Sequence, residues 1–189
     1  MICYWLRDFR HFVGFEKQFK PDRLKSYERG DIIKVNFGFN IGSEHGGWHY
    51  AIVVDNKNFL HSPVLTVIPM TSIKSNKEIN RNDLDLGDEI YCKLKIKHDK
   101  LMNANVSNND SEEEINNSEK LKIQYRKAEK EILNMKKGSI ALVGQITTIS
   151  KMRIIDPKNS QDALDGIKLS PEKLDCVNGK IRELFLHGN

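Results

Sequence analysis

Apolar and β-branched residues occur along the chain in short runs that predict a sheet. Such runs, bounded by turn residues, are typical of strands, and they occupy residues 31–38, 51–55, 64–70, 139–150 and 153–156. In the polar stretch 80–90, Leu84 and Leu86 alternate with polar residues and predict an edge strand. Ser170 followed by Pro171 is a good helix start. The order of elements predicts a small antiparallel barrel with a C-terminal helix, in the α+β, mainly β class.

A different periodicity, with apolar steps of three and four residues, marks residues 91–137. Such steps form the seam of paired helices, and they are carried here by Tyr91, Leu94, His98 and Leu101, then by Leu121, Tyr125, Ala128, Ile132 and Met135. The polar run 103–117 predicts the tip of an antiparallel helical hairpin that projects from the barrel. Gly138 follows as a helix-ending glycine would.

The chain is therefore predicted to have three parts. Residues 29–90 and 138–189 form the barrel domain, residues 91–137 form the inserted hairpin, and residues 1–28 form an N-terminal helical extension. In the extension, aromatic residues recur at helical spacing, at Trp5, Phe9, Phe12 and Phe19. This aromatic face is interpreted as packing on the barrel or as binding a partner.

Composition narrows the class of protein without indicating a function. The chain has 189 residues, of which 30% are charged, and a formal net charge of +4. A mildly basic chain is compatible with a polyanionic partner but does not require one. The three cysteines, Cys3, Cys92 and Cys176, are far apart and lie in no Cys/His cluster. We expect buried or incidental thiols, no metal and no cofactor.

The N-terminal residues and the hydropathy indicate where the protein works. Charged residues at Arg7, Asp8 and Arg10 interrupt the apolar run that a signal peptide needs. No stretch of the sequence approaches the length of a membrane span. A cytoplasmic protein without a membrane partner is expected.

The segment between the first two predicted strands has the composition of a binding loop. Residues 42–49 read GSEHGGWH, and the paired glycines allow positive φ angles and the close approach of another backbone. The sequence predicts a long flexible loop that ends at Trp48 and His49, immediately before the second strand.

Four segments, in order, carry a resemblance to a known family. They are RGD at residues 29–31, GSExGG at 42–47, PxTS at 69–72 and the pattern QI-TI-K-R within residues 145–153. Together with the closing helix they cover roughly half of the chain. The sequence resembles the MazF/PemK family of toxins, the ribosome-independent endoribonucleases of bacterial type II toxin–antitoxin systems. The resemblance implies an SH3-like barrel of the CcdB/MazF type, a homodimer and a cognate antitoxin.

The resemblance also implies a catalytic pair. Cleavage by the RNA 2′-hydroxyl needs a base, an acid and donors for the phosphorane charge, and family members leave 2′,3′-cyclic phosphate and 5′-hydroxyl ends. Thr71 matches the family's catalytic threonine, whereas His49 and Tyr50 stand where the family has an arginine and commonly a proline. Because histidine titrates near neutrality, we expect activity at His49 with a stronger pH dependence. The alternatives are an inactive site, or a hydrogen-bonded histidine that begins a strand.

Further residues are predicted to lie along the RNA. Aromatic surfaces on which unpaired bases stack, and polar or basic groups for phosphates, are Trp48, Tyr50, Ser72, Lys74, Gln145, Lys151 and Arg153. Gln145 is interpreted as a base contact or as a residue that holds a loop. Glu44 is expected to hold the glycine-rich loop through backbone amides, and His45 to contact substrate or solvent.

The sequence thus predicts a metal-independent, sequence-selective endoribonuclease of single-stranded RNA, the toxin of a toxin–antitoxin system. Two other functions stay open: a barrel that binds a protein target, as gyrase-poisoning toxins do, and a relative that binds RNA without cleaving it. The hairpin is then a stiff spacer or a docking arm for the antitoxin or for RNA.

Overall fold

The computed structural model describes residues 2–73, 78–106 and 112–186, without the side chains of residues 105, 106 and 112–118. Within this part the helices are α1 Ile2–Phe15, α2 Glu89–Val106, α3 Glu112–Asn134 and α4 Pro171–Phe185. The strands are β1 Ile32–Asn36, β2 Trp48–Val53, β3 Val64–Ser72, β4 Leu84–Gly87, β5 Ser139–Ala141, β6 Thr147–Ser150 and β7 Ile154–Asp156. The predicted mixture of helices and an antiparallel sheet is confirmed, and the four α-helices hold more of the described residues than the strands do.

The strand pairings give the sheet its shape. The strands lie in the order β4-β5-β3-β2-β1-β7, and β6 pairs with the first half of β3. A short 3-10 turn, Lys151–Arg153, joins β6 to β7. Neighbouring strands are therefore paired all the way from β6 through β3, β2 and β1 to β7. The turn from β6 to β7 completes this circuit. The SH3-like form of this barrel stays a prediction.

The two faces of the sheet build two separate hydrophobic clusters, because successive residues of a strand point to opposite sides. Ile33 and Ala51 belong to an inner cluster. Ile32 and Ile52 belong to an outer cluster, which is covered by Ile90 and Leu94 of α2, by Val177 of α4 and by Met135, which follows α3. Strand β2 thus contributes to both clusters through its buried second half, whereas its first three residues are exposed or partly buried.

The predicted strand 139–150 is wrong as a single element. The chain forms β5, a 3-10 turn at Val143–Gln145 and then β6. The turn crosses β3, with the Leu142 amide donating to the Pro69 carbonyl at 2.9 Å. Gly144 lies close to Asn82, so that a Cβ there would be 3.3 Å from the Asn82 Cβ. β5 and β6 can therefore pair with different halves of β3.

Two helices lie where the hairpin is predicted, and we call α2 and α3 the helical arm. Both helices extend into the predicted polar tip, of which residues 107–111 lie outside the described part. The rings of His98 and Tyr125 are in contact across the seam, with centroids 4.6 Å apart. Leu94 is fully buried in the outer cluster, where truncation to alanine typically costs about 2–5 kcal/mol. The base of the helical arm is thus part of the hydrophobic core.

The N-terminal extension forms helix α1, and Phe19 lies beyond its end. The helix packs over the start of the glycine-rich loop: Gly38 has φ +86°, and a Cβ there would lie 2.7 Å from the Trp5 ring. The Asn36 side chain donates to Asp8 at 3.1 Å. Ile2, Leu6, Phe9 and Val13 stay exposed on the other side of α1. The three cysteines are exposed thiols rather than buried ones.

Candidate functional site

The glycine-rich loop leaves β1 and returns to β2 at one closed point. The Phe37 amide donates to the Gly47 carbonyl at 2.8 Å, and the Gly47 amide donates to the Gly38 carbonyl at 2.7 Å. Gly47 has φ +87°, a conformation that glycine adopts without strain. Strand β2 then begins at Trp48, so His49 lies inside the strand rather than at the end of a flexible loop.

Two polar side chains hold the glycine-rich loop: Glu44 belongs to the loop, and Gln145 lies in the turn between β5 and β6. The Gln145 side chain accepts from the His45 amide at 2.7 Å and donates to the Ser43 carbonyl at 3.3 Å. Of its two predicted roles, Gln145 therefore has that of holding the loop. Glu44 accepts from the Ile41 amide at 3.4 Å, as predicted for that carboxylate.

Two histidine rings meet beneath this loop. The ring centroids of His45 and His49 are 3.9 Å apart, at an interplanar angle of 57°. His45 also meets the Phe37 ring nearly edge-on, at 5.9 Å. Its Nε2 atom is buried and has no hydrogen-bond partner among the described residues. His45 is therefore half-buried against His49, and the expectation of a solvent-facing loop residue is wrong.

Both histidines are kept uncharged by their surroundings. Burial lowers the pKa of His45 to about 4, and repulsion from a charged His49 adds to this effect. Burial also lowers the pKa of His49, while hydrogen bonding to the Met70 and Gly46 backbone opposes the change. Near neutral pH both rings are therefore neutral, and each has one nitrogen able to accept a proton.

The arm-side cleft brings five of the predicted site residues together. Its volume is about 280 Å³, and it is lined from the sheet by Trp48, His49, Tyr50, Met70, Thr71 and Ser72 and from the arm and β5 by Asn134, Met135, Lys136, Gly138 and Ser139. Trp48 is 60% exposed, which leaves its ring available for stacking. His49 and Thr71, predicted to act together, line the same cleft.

Tyr50 lies in this cleft with its groups already engaged. Its hydroxyl donates to Glu131, and the Lys34 ammonium lies 5.5 Å from its ring centre. Lys34 and Glu131 form an ion pair at 2.6 Å. Burial and the neighbouring Glu131 raise the pKa of the Tyr50 hydroxyl. The predicted base-stacking role does not fit Tyr50, which ties β2 to α3 instead.

The loop-side cleft is the larger of the two, with a volume of about 630 Å³, and its lining includes Asn40, Ser43, Glu44, His45, residues 144–149 and Arg153. Arg153 donates to the Phe37 carbonyl at 2.9 Å, and its guanidinium lies 5.5 Å from the Trp5 ring centre. Arg153, which was predicted to bind RNA, therefore does line a cleft, but α1 covers one face of its guanidinium.

The prediction that Lys151 binds RNA is wrong. Its side chain lies inside the protein with 1% exposure, and its ammonium donates to the Phe59 and Leu60 carbonyls at 3.1 and 3.4 Å. Lys151 supports the loop between β2 and β3. Lys74 lies outside the described residues.

Sequence reasoning missed the contribution of the helical arm to the arm-side cleft. Asn134 and Lys136 flank Met135, the last residue of the apolar seam, and look like solvent-exposed positions in the sequence. The signal that was present is Gly138, which ends the hairpin one residue before a strand. A strand that pairs with β3 carries the end of the arm to the site.

The fold and the two clefts define a class of protein: a small antiparallel sheet protein with a glycine-rich loop over a polar, uncharged histidine pair. The sequence of residues 28–102 matches the family described as PemK-like, MazF-like toxin of type II toxin-antitoxin system. The predicted resemblance is thereby confirmed from β1 into α2, and for the segment after the arm it stays a prediction. A search of the curated proteins found no match. Among the described residues, no helix combines the length and hydropathy needed to cross a membrane.

Proposed function

We propose that this protein is the toxin of a type II toxin–antitoxin system and that it cleaves single-stranded RNA at the arm-side cleft. The observation that carries the proposal is the meeting of His49 and Thr71 in one cleft, inside the segment that matches the toxin family. A cleft that only bound a protein would not call for a neutral imidazole beside a hydroxyl.

The chemistry requires one proton to move between two oxygens of the RNA. His49 accepts the proton of the 2′-hydroxyl, the 2′-oxygen bonds to phosphorus, and the bond from phosphorus to the 5′-oxygen breaks. The leaving 5′-oxygen takes a proton back from the His49 imidazolium. The products carry a 2′,3′-cyclic phosphate and a 5′-hydroxyl, and His49 returns to its neutral form.

Other residues of the cleft bind and orient the RNA. The Thr71 hydroxyl donates to a phosphate oxygen, and Ser72 lies next to it on β3. Trp48 offers an exposed ring for an unpaired base, a contact worth about 1–3 kcal/mol. Sequence selectivity arises from base contacts in the two clefts, because single-stranded bases present their edges to the protein.

The family also supplies the proposed partners. A cognate antitoxin neutralises the protein, which works in the cytoplasm as a homodimer. The arm-side cleft and the exposed side of α1 are surfaces that an antitoxin or a second protomer can cover.

The test is incubation of purified protein with a long single-stranded RNA in excess EDTA. Discrete fragments with 5′-hydroxyl ends are expected from the wild type and from His61→Ala, a variant at an exposed turn position. His49→Ala and Thr71→Ala are expected to leave the RNA intact while folding normally. Intact RNA with the folded wild type overturns the proposal. RNA retained on the protein without cleavage then indicates an RNA-binding relative, and no retention indicates a protein target.

A further inference from the structure

We propose that His45 is a positioning residue for His49: its ring, fixed by the glycine-rich loop, holds the His49 ring in place and shields it from water. The inference rests on the proposed RNA cleavage, in which His49 moves the proton. It assigns a function to the loop itself, beyond closing the entry to β2.

The contacts of His45 explain why its ring can serve as a fixed support. The His45 amide donates to the Gln145 side chain at 2.7 Å, and its carbonyl accepts from the Asn40 side chain at 2.7 Å. Its ring meets Phe37, a residue of the inner cluster. The residue is thus held on both sides of its backbone and along its ring, and the ring of His49 lies against it.

The two histidines line different clefts, and this placement determines how bound RNA would meet them. His45 lines the loop-side cleft and His49 lines the arm-side cleft. The two rings therefore separate the clefts, and a strand of RNA that occupies both must pass over them. A ring supported from behind can face the 2′-hydroxyl in one orientation, and misplacement by about 1 Å can cost a hundredfold in rate.

Within the described residues, the charged groups around the pair lie on the walls of the two clefts and next to Tyr50. Lys136 lines the arm-side cleft, while Glu44 and Arg153 line the loop-side cleft. Lys34 and Glu131 pair with each other next to Tyr50, on the opposite face of β2 from His49. Among the described residues, burial is the largest cause of the lowered pKa of both rings, ahead of any charged group.

The support has a chemical consequence for His49. Because burial keeps the ring neutral, His49 is ready to accept a proton over a wider pH range than an exposed histidine. The phosphate of bound RNA then stabilises the imidazolium that forms. Without the His45 ring, water reaches His49 and its pKa rises towards the ordinary value.

The test compares His45→Ala with His45→Phe in pH–rate profiles of RNA cleavage. His45→Ala is expected to lower kcat about ten- to a hundredfold with little change in KM, and to move the acid limb of the profile to higher pH. His45→Phe keeps a flat ring over His49, so it is expected to restore the wild-type limb and most of the rate. Titration of the His49 ring by NMR, without RNA, is expected to show the same shift in His45→Ala alone.

The possible results separate this inference from the proposed function. Cleavage by the wild type with an unchanged acid limb in both variants overturns the positioning role and leaves the nuclease standing. A uniform loss of rate in both variants, with lower thermal stability and an unchanged His49 titration, also overturns it, since that is the result of a purely structural role. No cleavage by the folded wild type overturns the proposed function and the inference together.

Discussion

The two clefts on either side of the histidine pair differ in how far their polar groups are already used. In the larger loop-side cleft, Gln145 and Arg153 are hydrogen-bonded to backbone carbonyl or amide groups. In the smaller arm-side cleft, Thr71 and Lys136 line the wall, and their side chains have no hydrogen bond within the described part of the chain. The larger cleft thus serves in part to support a loop, whereas the smaller one, apart from the engaged Tyr50 and Asn134, keeps groups available for a ligand. Volume alone is therefore a poor guide to the functional site.

The change expected to disturb this comparison most is the removal of the proposed proton carrier, His49, from the arm-side cleft. His49→Gln keeps a polar side chain but cannot carry the proton, so the cleavage rate is expected to fall about 10²- to 10⁴-fold. His61→Gln is the matched control and is expected to have the wild-type rate. The measurement is the initial rate of cleavage of a labelled single-stranded RNA. A loss smaller than tenfold would remove His49 from the reaction.

The pH dependence of the wild type sharpens the same point. His49 must be neutral to accept the proton, and burial lowers its pKa. The rate is therefore expected to stay high below the ordinary histidine pKa of about 6.5 and to fall only as the pH drops through the lowered value. An acid limb at or above the ordinary value would contradict a buried, neutral His49.

A smaller but still large effect is expected where the arm is tied to β2. Glu131→Ala leaves the Lys34 ammonium without its 2.6 Å partner and the Tyr50 hydroxyl without its acceptor. Breaking a buried ion pair by removing one partner costs about 3–5 kcal/mol, and the partial exposure of Lys34 places the expected loss of unfolding free energy at about 3 kcal/mol or less. Denaturant unfolding measures it, with the exposed Glu129→Ala as the control. Equal stability of the two variants would show that the arm is not held by this contact.

The next effect concerns RNA affinity. Lys136 lines the arm-side cleft, whereas Lys137 lies over the Tyr91 ring at 5.7 Å. In a His49→Ala background, Lys136→Ala is expected to reduce the slope of log affinity against log salt by about 0.7, the value for one phosphate of single-stranded RNA. Lys137→Ala is expected to leave the slope unchanged. Identical slopes for both variants would exclude the end of the arm from the RNA path.

The smallest effect is expected in the loop-side cleft. Gln145→Ala removes two hydrogen bonds to the loop backbone, and a typical net contribution is about 1 kcal/mol each. A loss of about 1–2 kcal/mol in unfolding free energy is expected, with no change in the salt dependence of RNA binding. Gln18→Ala, at an exposed position, is the control. A changed salt slope would return Gln145 to the RNA path.

Periodicity predicted the elements well, because the requirement to bury one face of a strand or helix is written into local sequence. The predicted strands 31–38 and 64–70 overlap β1 and β3, and Leu94 and Ala128 of the predicted seam are fully buried. Those parts of the structure depend on contacts between nearby residues or on a simple strand order. The pairing of His49 with Thr71 came instead from the family resemblance, and the two residues line one cleft.

The destination of a side chain that reaches across the fold could not be predicted in this way. Lys151 and Arg153 look alike in sequence, but one ammonium turns inward to carbonyls of residues 59 and 60 and the other cation meets Trp5 of α1. The break at Gly144 and the placement of Lys136 likewise depend on the pairing of β5 with β3. No pattern within a window of the sequence contains that information.

The ladder between β4 and β5 bears on how such a protein can change in length. Gly87 and Ser139 are paired neighbours in this ladder, so residues 88–138 leave the sheet and return to it at adjacent positions. In topological terms they replace the turn of a β-hairpin. Matched helical turns beyond the Gln124–Ser160 hydrogen bond are thus expected to tolerate deletion or addition without a shift of the strands, whereas the base of the arm, with Ile90 and Met135, must stay. The outer arm is a suitable place to graft a fluorescent or affinity reporter onto the folded protein.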